Sequence, residues 1–139
     1  MKQAQTHLEL STKGKGFVEV TGHIASWVRE QGISTGLLTV FIRHTSASLV
    51  IQENADADVL KDLETFMEQT VPEDPSLYRH TLEGPDDMPA HIRSALTGSH
   101  LNIPVTNKEL GLGTWQGIFV YEHRTRPHHR TLILHLLGA

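Results

Sequence analysis

The chain contains no cysteine. That excludes disulfides, thiolate metal sites and cysteine nucleophiles together, and is compatible with a reducing compartment. Long apolar runs are missing too. No stretch reaches the roughly 18 apolar residues needed to span a bilayer, and the opening segment Met1–His7 is polar, without the apolar centre of a secretory signal. A cytoplasmic protein with no membrane contact is expected. Excess positive charge is also absent: the net charge is −4 and the pI about 6.2, whereas nucleic-acid binding would need a concentrated basic face. Hydrophobic content is low at 38%, so part of the apolar surface is expected to be completed by a partner subunit. At 139 residues the chain reads as one domain over residues 1–139, large enough to bury about 65–70% of its unfolded surface.

Histidine is what the sequence has in excess. There are ten, where ordinary composition gives about three or four. Histidine is the commonest metal ligand and the side chain that titrates nearest neutrality, but surface histidines are common and the excess alone assigns nothing.

Period-2 alternation of Ala4, Thr6, Leu8 and Leu10 predicts a half-buried strand. A Lys13–Gly16 turn and Phe17–Val20 predict a second strand, paired with the first as a hairpin. Thr21 is placed to cap a helix running to about Gln31, with Ile24, Trp27 and Val28 on its apolar side and Gly32 ending it. Leu37–Arg43, largely apolar on both faces, predicts a central strand. A short strand follows at Leu49–Ile51. Asn54 then opens a helix to about Gln69 with a buried stripe of Val59, Leu60, Leu63, Phe66 and Met67. The stretch 71–89 has little periodicity, and long loops of this kind inside compact domains are usually functional. Pro89 suits the first turn of a short helix ending near Leu96. Strands are predicted at Leu101–Thr106, Thr114–His123 and Thr131–Leu137, with 126–130 as a hairpin loop between the last two. The result is an α+β fold with two to three helices on one mixed sheet.

Three constellations carry possible chemistry. In His44-Thr45-Ser46-Ala47-Ser48 a strand runs into a turn rich in hydroxyls, a donor cluster that suits a phosphate or carboxylate; the plainer reading is a histidine closing the core edge. The segment from Tyr78 to His91 concentrates His80, Glu83, Asp86, Asp87 and His91, the imidazoles and carboxylates used by zinc and other divalent metals. If the helix begins near Asp87, Asp87 and His91 share a face; the plainer reading makes Asp86 a helix cap and His91 a core histidine. In the third, alternation from Thr114 to Arg124 puts Gln116, Ile118, Val120, Glu122 and Arg124 on one face and Trp115, Phe119, Tyr121 and His123 on the other. Glu122 and Arg124 there either orient a substrate or form a surface ion pair. The eight carboxylates between Glu53 and Asp74 read as a solvated helix face, although Asn54 and Asp58 are near enough to its start to face a site.

These constellations, in this order, resemble the YjbQ family, whose members are labelled secondary thiamine-phosphate synthases. The resemblance rests on His44–Ser48, Glu53–Val59, His80–His91, Gly113–Gly117 and Glu122–Arg124, and covers nearly the whole chain. It implies a half-barrel mixed sheet with helices on one side, a homotrimer, and a polar pocket whose histidines hold a metal or an anion. The label implies coupling of a pyrimidine diphosphate to a thiazole phosphate with release of pyrophosphate. Some relatives carry a cysteine where this chain has Leu82, so thiol chemistry is excluded here. On this reading His44, His80 and His91 are the expected ligands of a divalent metal such as zinc or magnesium. Asp86, Glu122 and Glu83 are the expected acid–base groups, and Ser46, Asn54, Gln116 and Arg124 the expected contacts to a small phosphorylated substrate. The competing reading is a non-catalytic binding protein for a phosphorylated ligand or a metal.

Overall fold

The computed structural model describes residues 1–139. The alternation of the first segment is realised in β1 (Lys2–Ser11), where Ala4, Thr6, Leu8 and Leu10 are half-buried between exposed neighbours. The predicted hairpin is not. β1 pairs along its whole length with the last strand, β8 (His129–Gly138), while β2 (Gly16–Glu19) pairs with β7 (Gln116–Glu122). The segment at 126–130 is likewise no hairpin loop, since β7 and β8 belong to different sheets. Both connections change sheets at one corner, where the Thr12 N–H donates to the His128 carbonyl at 2.8 Å. The crossings touch backbone to backbone. Gly14 has φ +133°, and a Cβ there would stand 2.8 Å from the Thr125 carbonyl oxygen, so glycine is required.

The remaining strands are β3 (Thr35–Ile42), β4 (Ala47–Glu53), β5 (His100–Thr106) and the short β6 (Glu109–Leu110), which sequence reasoning missed. They complete a five-stranded sheet, β1-β8-β3-β5-β6, and a three-stranded sheet, β2-β7-β4. Every pairing is antiparallel rather than mixed. The sheets curl toward each other as a half-barrel carrying three helices, α1 (Thr21–Glu30), α2 (Ala57–Thr70) and α3 (Asp87–Thr97). No helix is long and apolar enough to cross a membrane.

The core is built by period-2 side chains from both sheets: Leu38, Val40 and Ile42 of β3, Leu132, Leu134 and Leu136 of β8, Leu49 of β4, and Ile118 and Val120 of β7. Ile24 and Val28 of α1 close one end. Removing one such Leu or Ile side chain costs about 2–5 kcal/mol. β3 is central as expected, yet only one of its faces is buried; Leu37 and Phe41 on the other are 46% and 41% exposed. Helix starts also differ from expectation. Thr21 does not cap α1: its hydroxyl donates to Glu19 and accepts from the Ile118 N–H, tying the helix to β7. α2 is capped by Asp56, whose side chain accepts from the Asp58 N–H. Asn54 instead closes the end of β4, through its N–H to the Trp115 carbonyl and its Nδ2 to Glu19. Phe66, expected in the buried stripe of α2, is 61% exposed.

Candidate metal centre

The loop before α3 and the end of β7 meet around two adjacent carboxylates. Asp87 is the first residue of α3, so His91 lies one turn on, and its Nε2 is 3.2 Å from Asp87 Oδ2. The preceding loop returns His80 to the same oxygen at 2.6 Å. One ligand atom from each of His80, Asp87 and His91 lies within 4.8 Å of the other two. Asp87 is buried, while both imidazoles are partly open to solvent. Two imidazoles and a carboxylate converging on one accessible point match the donor set of catalytic zinc and non-haem iron sites, which keep further positions open.

Arg124, from just beyond β7, organises this cluster. Its Nη1 donates to Asp87 Oδ1 at 2.7 Å, its Nε to Asp86 Oδ2 at 2.9 Å, and its Nη2 to the Glu83 carbonyl at 3.1 Å. Asp87 therefore presents one oxygen to the histidines and the other to a cation, an outer partner that fixes the orientation of a ligating carboxylate. Gly84, at φ +106°, lets the loop fold in this tightly; a Cβ there would meet Asp86 Oδ1 at 3.1 Å. Burial opposes ionisation of Asp86, but the hydrogen bonds from Arg124 and the Thr125 N–H outweigh it and hold the carboxyl at about 2. Asp87 is held low as well: burial is overcome by the hydrogen bond from His80 and the Arg124 charge. Asp86 thus occupies the N-cap position of α3 without a side-chain cap hydrogen bond and is no proton donor near neutrality, and all three guanidinium nitrogens of Arg124 are engaged by the protein.

The expected site residues separate into groups. His44 does not join His80 and His91. Its Nε2 accepts from the Thr131 N–H at 2.9 Å, and its Nδ1 lies 3.4 Å from Arg130 Nη1. Glu122 is fully buried at the sheet-crossing corner, bonded to Arg130, to the Thr12 hydroxyl and to the backbone N–H groups of His123 and Arg124. It is a structural anion there, with no exposed oxygen for acid–base work. Ser46 lies beside it, its Oγ accepting from Arg130 Nη2 at 3.0 Å. Gln116 accepts from the Gly113 N–H, and Asn54 sits against the neighbouring Gly117. Glu83 is the one expected acid–base group that stays exposed to solvent, with Oε2 3.8 Å from His80 Nε2.

Arg130, in a stretch whose sequence predicts a loop, lies in β8 instead. A signal existed: Arg130 is in phase with Leu132, Leu134 and Leu136 and is buried with them. Sequence reasoning also missed the pairing of His123 with Ser48, 2.8 Å apart and sealed from solvent. Thr97 donates to the same Ser48 oxygen at 2.6 Å.

Fold and site together define an α+β half-barrel protein with an arginine-braced His–Asp–His cluster at the start of its last helix. A family profile described as "UPF0047 protein YjbQ-like" matches residues 6–139, and the chain belongs to that family. It is 57% identical to the UPF0047 protein sll1880 of Synechocystis over 99% of this chain and 93% of the other. Against the UPF0047 protein YjbQ of Escherichia coli O157:H7 the identity is 42%, over 96% and 97%. Solved structures agree. An uncharacterised YjbQ/UPF0047 protein of Clostridium acetobutylicum superposes with a TM-score of 0.86 at 35% identity, over 95% of this chain and 99% of the other. A conserved hypothetical protein of Thermus thermophilus gives 0.84 at 35% identity, with the same coverage.

Proposed function

We propose that the protein is a metal-assisted enzyme acting on a small phosphorylated substrate, with His80, Asp87 and His91 as ligands of a divalent cation such as zinc or magnesium. The observation that carries this reading is the convergence of three ligand atoms within 4.8 Å, two of them on partly open imidazoles. The donors fit the group: Asp87 keeps its charge through Arg124, and neutral imidazoles supply the remaining lone pairs. A bound divalent cation would supply Lewis acidity and would neutralise a departing diphosphate. The chain's own contributions are separable. Arg124 orients both aspartates, and Glu83, exposed beside His80, is placed to move a proton at the rim.

The finer form of this reading is a secondary thiamine-phosphate synthase activity, coupling a pyrimidine diphosphate to a thiazole phosphate. A homotrimer and a cytoplasmic setting belong to it. The apolar Leu37, Phe41 and Leu137, exposed on the outer face of the central strands with Leu37 opposite Leu137, support association, and the absence of cysteine supports a reducing compartment. The experiment is a zinc and magnesium titration of chelator-treated protein by calorimetry, followed by assay with the two thiamine precursors. One metal per chain, lost in a His80→Ala, His91→Ala double variant that still folds, is expected. Absence of metal uptake at micromolar concentrations, or uptake unchanged in that variant, overturns the metal reading. Product that does not exceed the no-enzyme control overturns the synthase reading alone.

A further inference from the structure

We infer that the open cavity at the end of β3, about 650 Å³ in volume and lined by Arg43, His44, Thr45, Ser46, Ser99 and Arg130, is a phosphoryl-binding site separate from the metal centre. The inference starts from Arg130. Its side chain is almost wholly buried, and its Nε and Nη2 are spent on Glu122, with Nη2 also reaching the Ser46 carbonyl and hydroxyl. Nη1 has only the His44 ring beside it, Nδ1 at 3.4 Å.

The tautomer of His44 decides what that contact is. Nε2 accepts from a backbone N–H, that of Thr131, and a backbone amide cannot act as acceptor. Nε2 therefore carries no proton, and a neutral imidazole must carry its proton on Nδ1. Burial first, and then the charge of Arg130, push His44 toward that neutral form. Two donors, Nδ1–H and Nη1–H, consequently face each other with no acceptor between them. Such a pair is repulsive unless an anion sits across it, and charge-assisted hydrogen bonds to an oxyanion are among the stronger ones.

The rest of the lining agrees. Arg43 adds a positive charge that no carboxylate offsets, three hydroxyls add donors, and no carboxylate lines the cavity. The one nearby acid, Glu122, is fully buried and already neutralises Arg130. Two arginines, one N–H imidazole and three hydroxyls exceed what the two oxygens of a carboxylate can use, and suit the three free oxygens of a phosphate monoester or terminal diphosphate. The volume falls within the roughly 300–1,000 Å³ of small-ligand sites, leaving room for the organic part of such a molecule. None of this depends on metal at His80.

The test uses full-length, chelator-treated protein, both wild-type and the His80→Ala, His91→Ala variant, titrated with inorganic phosphate, pyrophosphate and acetate. Phosphate and pyrophosphate are expected to bind equally well to both proteins and more tightly than acetate. Arg43→Ala and His44→Ala are each expected to weaken phosphate about tenfold, the scale of one charge-assisted hydrogen bond. Because His44→Ala also removes a backbone contact, a second readout is taken on the wild type: nitrogen-15 NMR of the His44 ring, in which Nδ1 should carry the proton and shift on phosphate addition. An Nε2–H tautomer, no phosphate binding at millimolar concentration, or equal affinity in Arg43→Ala overturns the site. Acetate binding as tightly as phosphate overturns the phosphoryl assignment. Loss of phosphate binding in the His80→Ala, His91→Ala variant alone overturns its independence from the metal centre.

Discussion

The two ends of α3 hold histidines in opposite circumstances. At the N-terminal end His80 and His91 share a carboxylate, keep contact with solvent and point ligand atoms at a common spot. At the C-terminal end Thr97 reaches Ser48, which bonds His123 in a sealed pocket, and His123 Nδ1 has no partner at all. Burial, reinforced by the nearby charge of Arg93, pushes the His123 imidazole down to about 3. The same side chain is therefore available chemistry at one end and a fixed neutral wedge at the other. What separates them is not spacing in sequence but whether a carboxylate and water are within reach.

The largest effect that would test this contrast is acid sensitivity. The folded-state value of His123 lies below the ordinary 6.5, so the unfolded chain binds the proton more readily. Stability should fall as pH drops from 6.5 toward 3, with this residue contributing up to about a tenfold loss in the folding constant per pH unit. Urea unfolding of wild type and His123→Gln across that window measures it. An unchanged pH slope in the variant would mean that His123 is not held neutral by its surroundings.

Next in size is Asp87→Ala. It leaves two imidazoles and one arm of Arg124 without their shared carboxylate, and should cost about 3 kcal/mol by the logic of a broken buried ion pair, together with metal uptake. Retained metal uptake in a folded Asp87→Ala protein would show that the cluster does not need its central carboxylate. Asp86→Asn keeps the shape but removes a charge whose folded value is depressed from 3.8 to about 2. That contribution is present above about pH 4 and is lost as pH falls toward 2, so the variant should be less stable by about 2 kcal/mol at neutral pH and should converge with wild type in acid. A stability difference that persists at the acid end of that range would contradict it. The smallest expected stability change is that of His91→Ala, under about 1 kcal/mol because the side chain is partly exposed, while its metal affinity falls steeply. Thermal unfolding and metal titration of this one variant separate availability from structural need.

Much of the site is legible in the chain itself. The i, i+4 spacing of Asp87 and His91 fixes their shared face once α3 begins at Asp87, and the concentration of His and acid residues marks the loop that supplies His80. What could not be read was the division of labour among neighbours. Asp86 and Asp87 are adjacent and chemically identical, yet Arg124 and the Thr125 N–H converge on one oxygen of Asp86, while Asp87 keeps an oxygen facing the histidines. His44 carried the same promise as His80 and went instead to a backbone amide and an arginine, because the strand end that bears it abuts the start of β8. Arg130 was hidden because a charged residue beside a Pro-His-His stretch reads as loop, although its phase matched the leucines that follow.

Period-2 and period-3.6 patterns by themselves determined the strands other than β6, the helices and most of the core, since each depends on which side of a local element must leave water. They also determined that His, Asp and Glu would crowd the approach to α3. Only the tertiary structure decided that β1 pairs with β8 and that 123–128 crosses between sheets, because pairing partners are chosen by the burial of whole faces rather than by proximity along the chain. Those crossings place Arg124 and Arg130 at their carboxylates, and through them set which histidines remain free to bind.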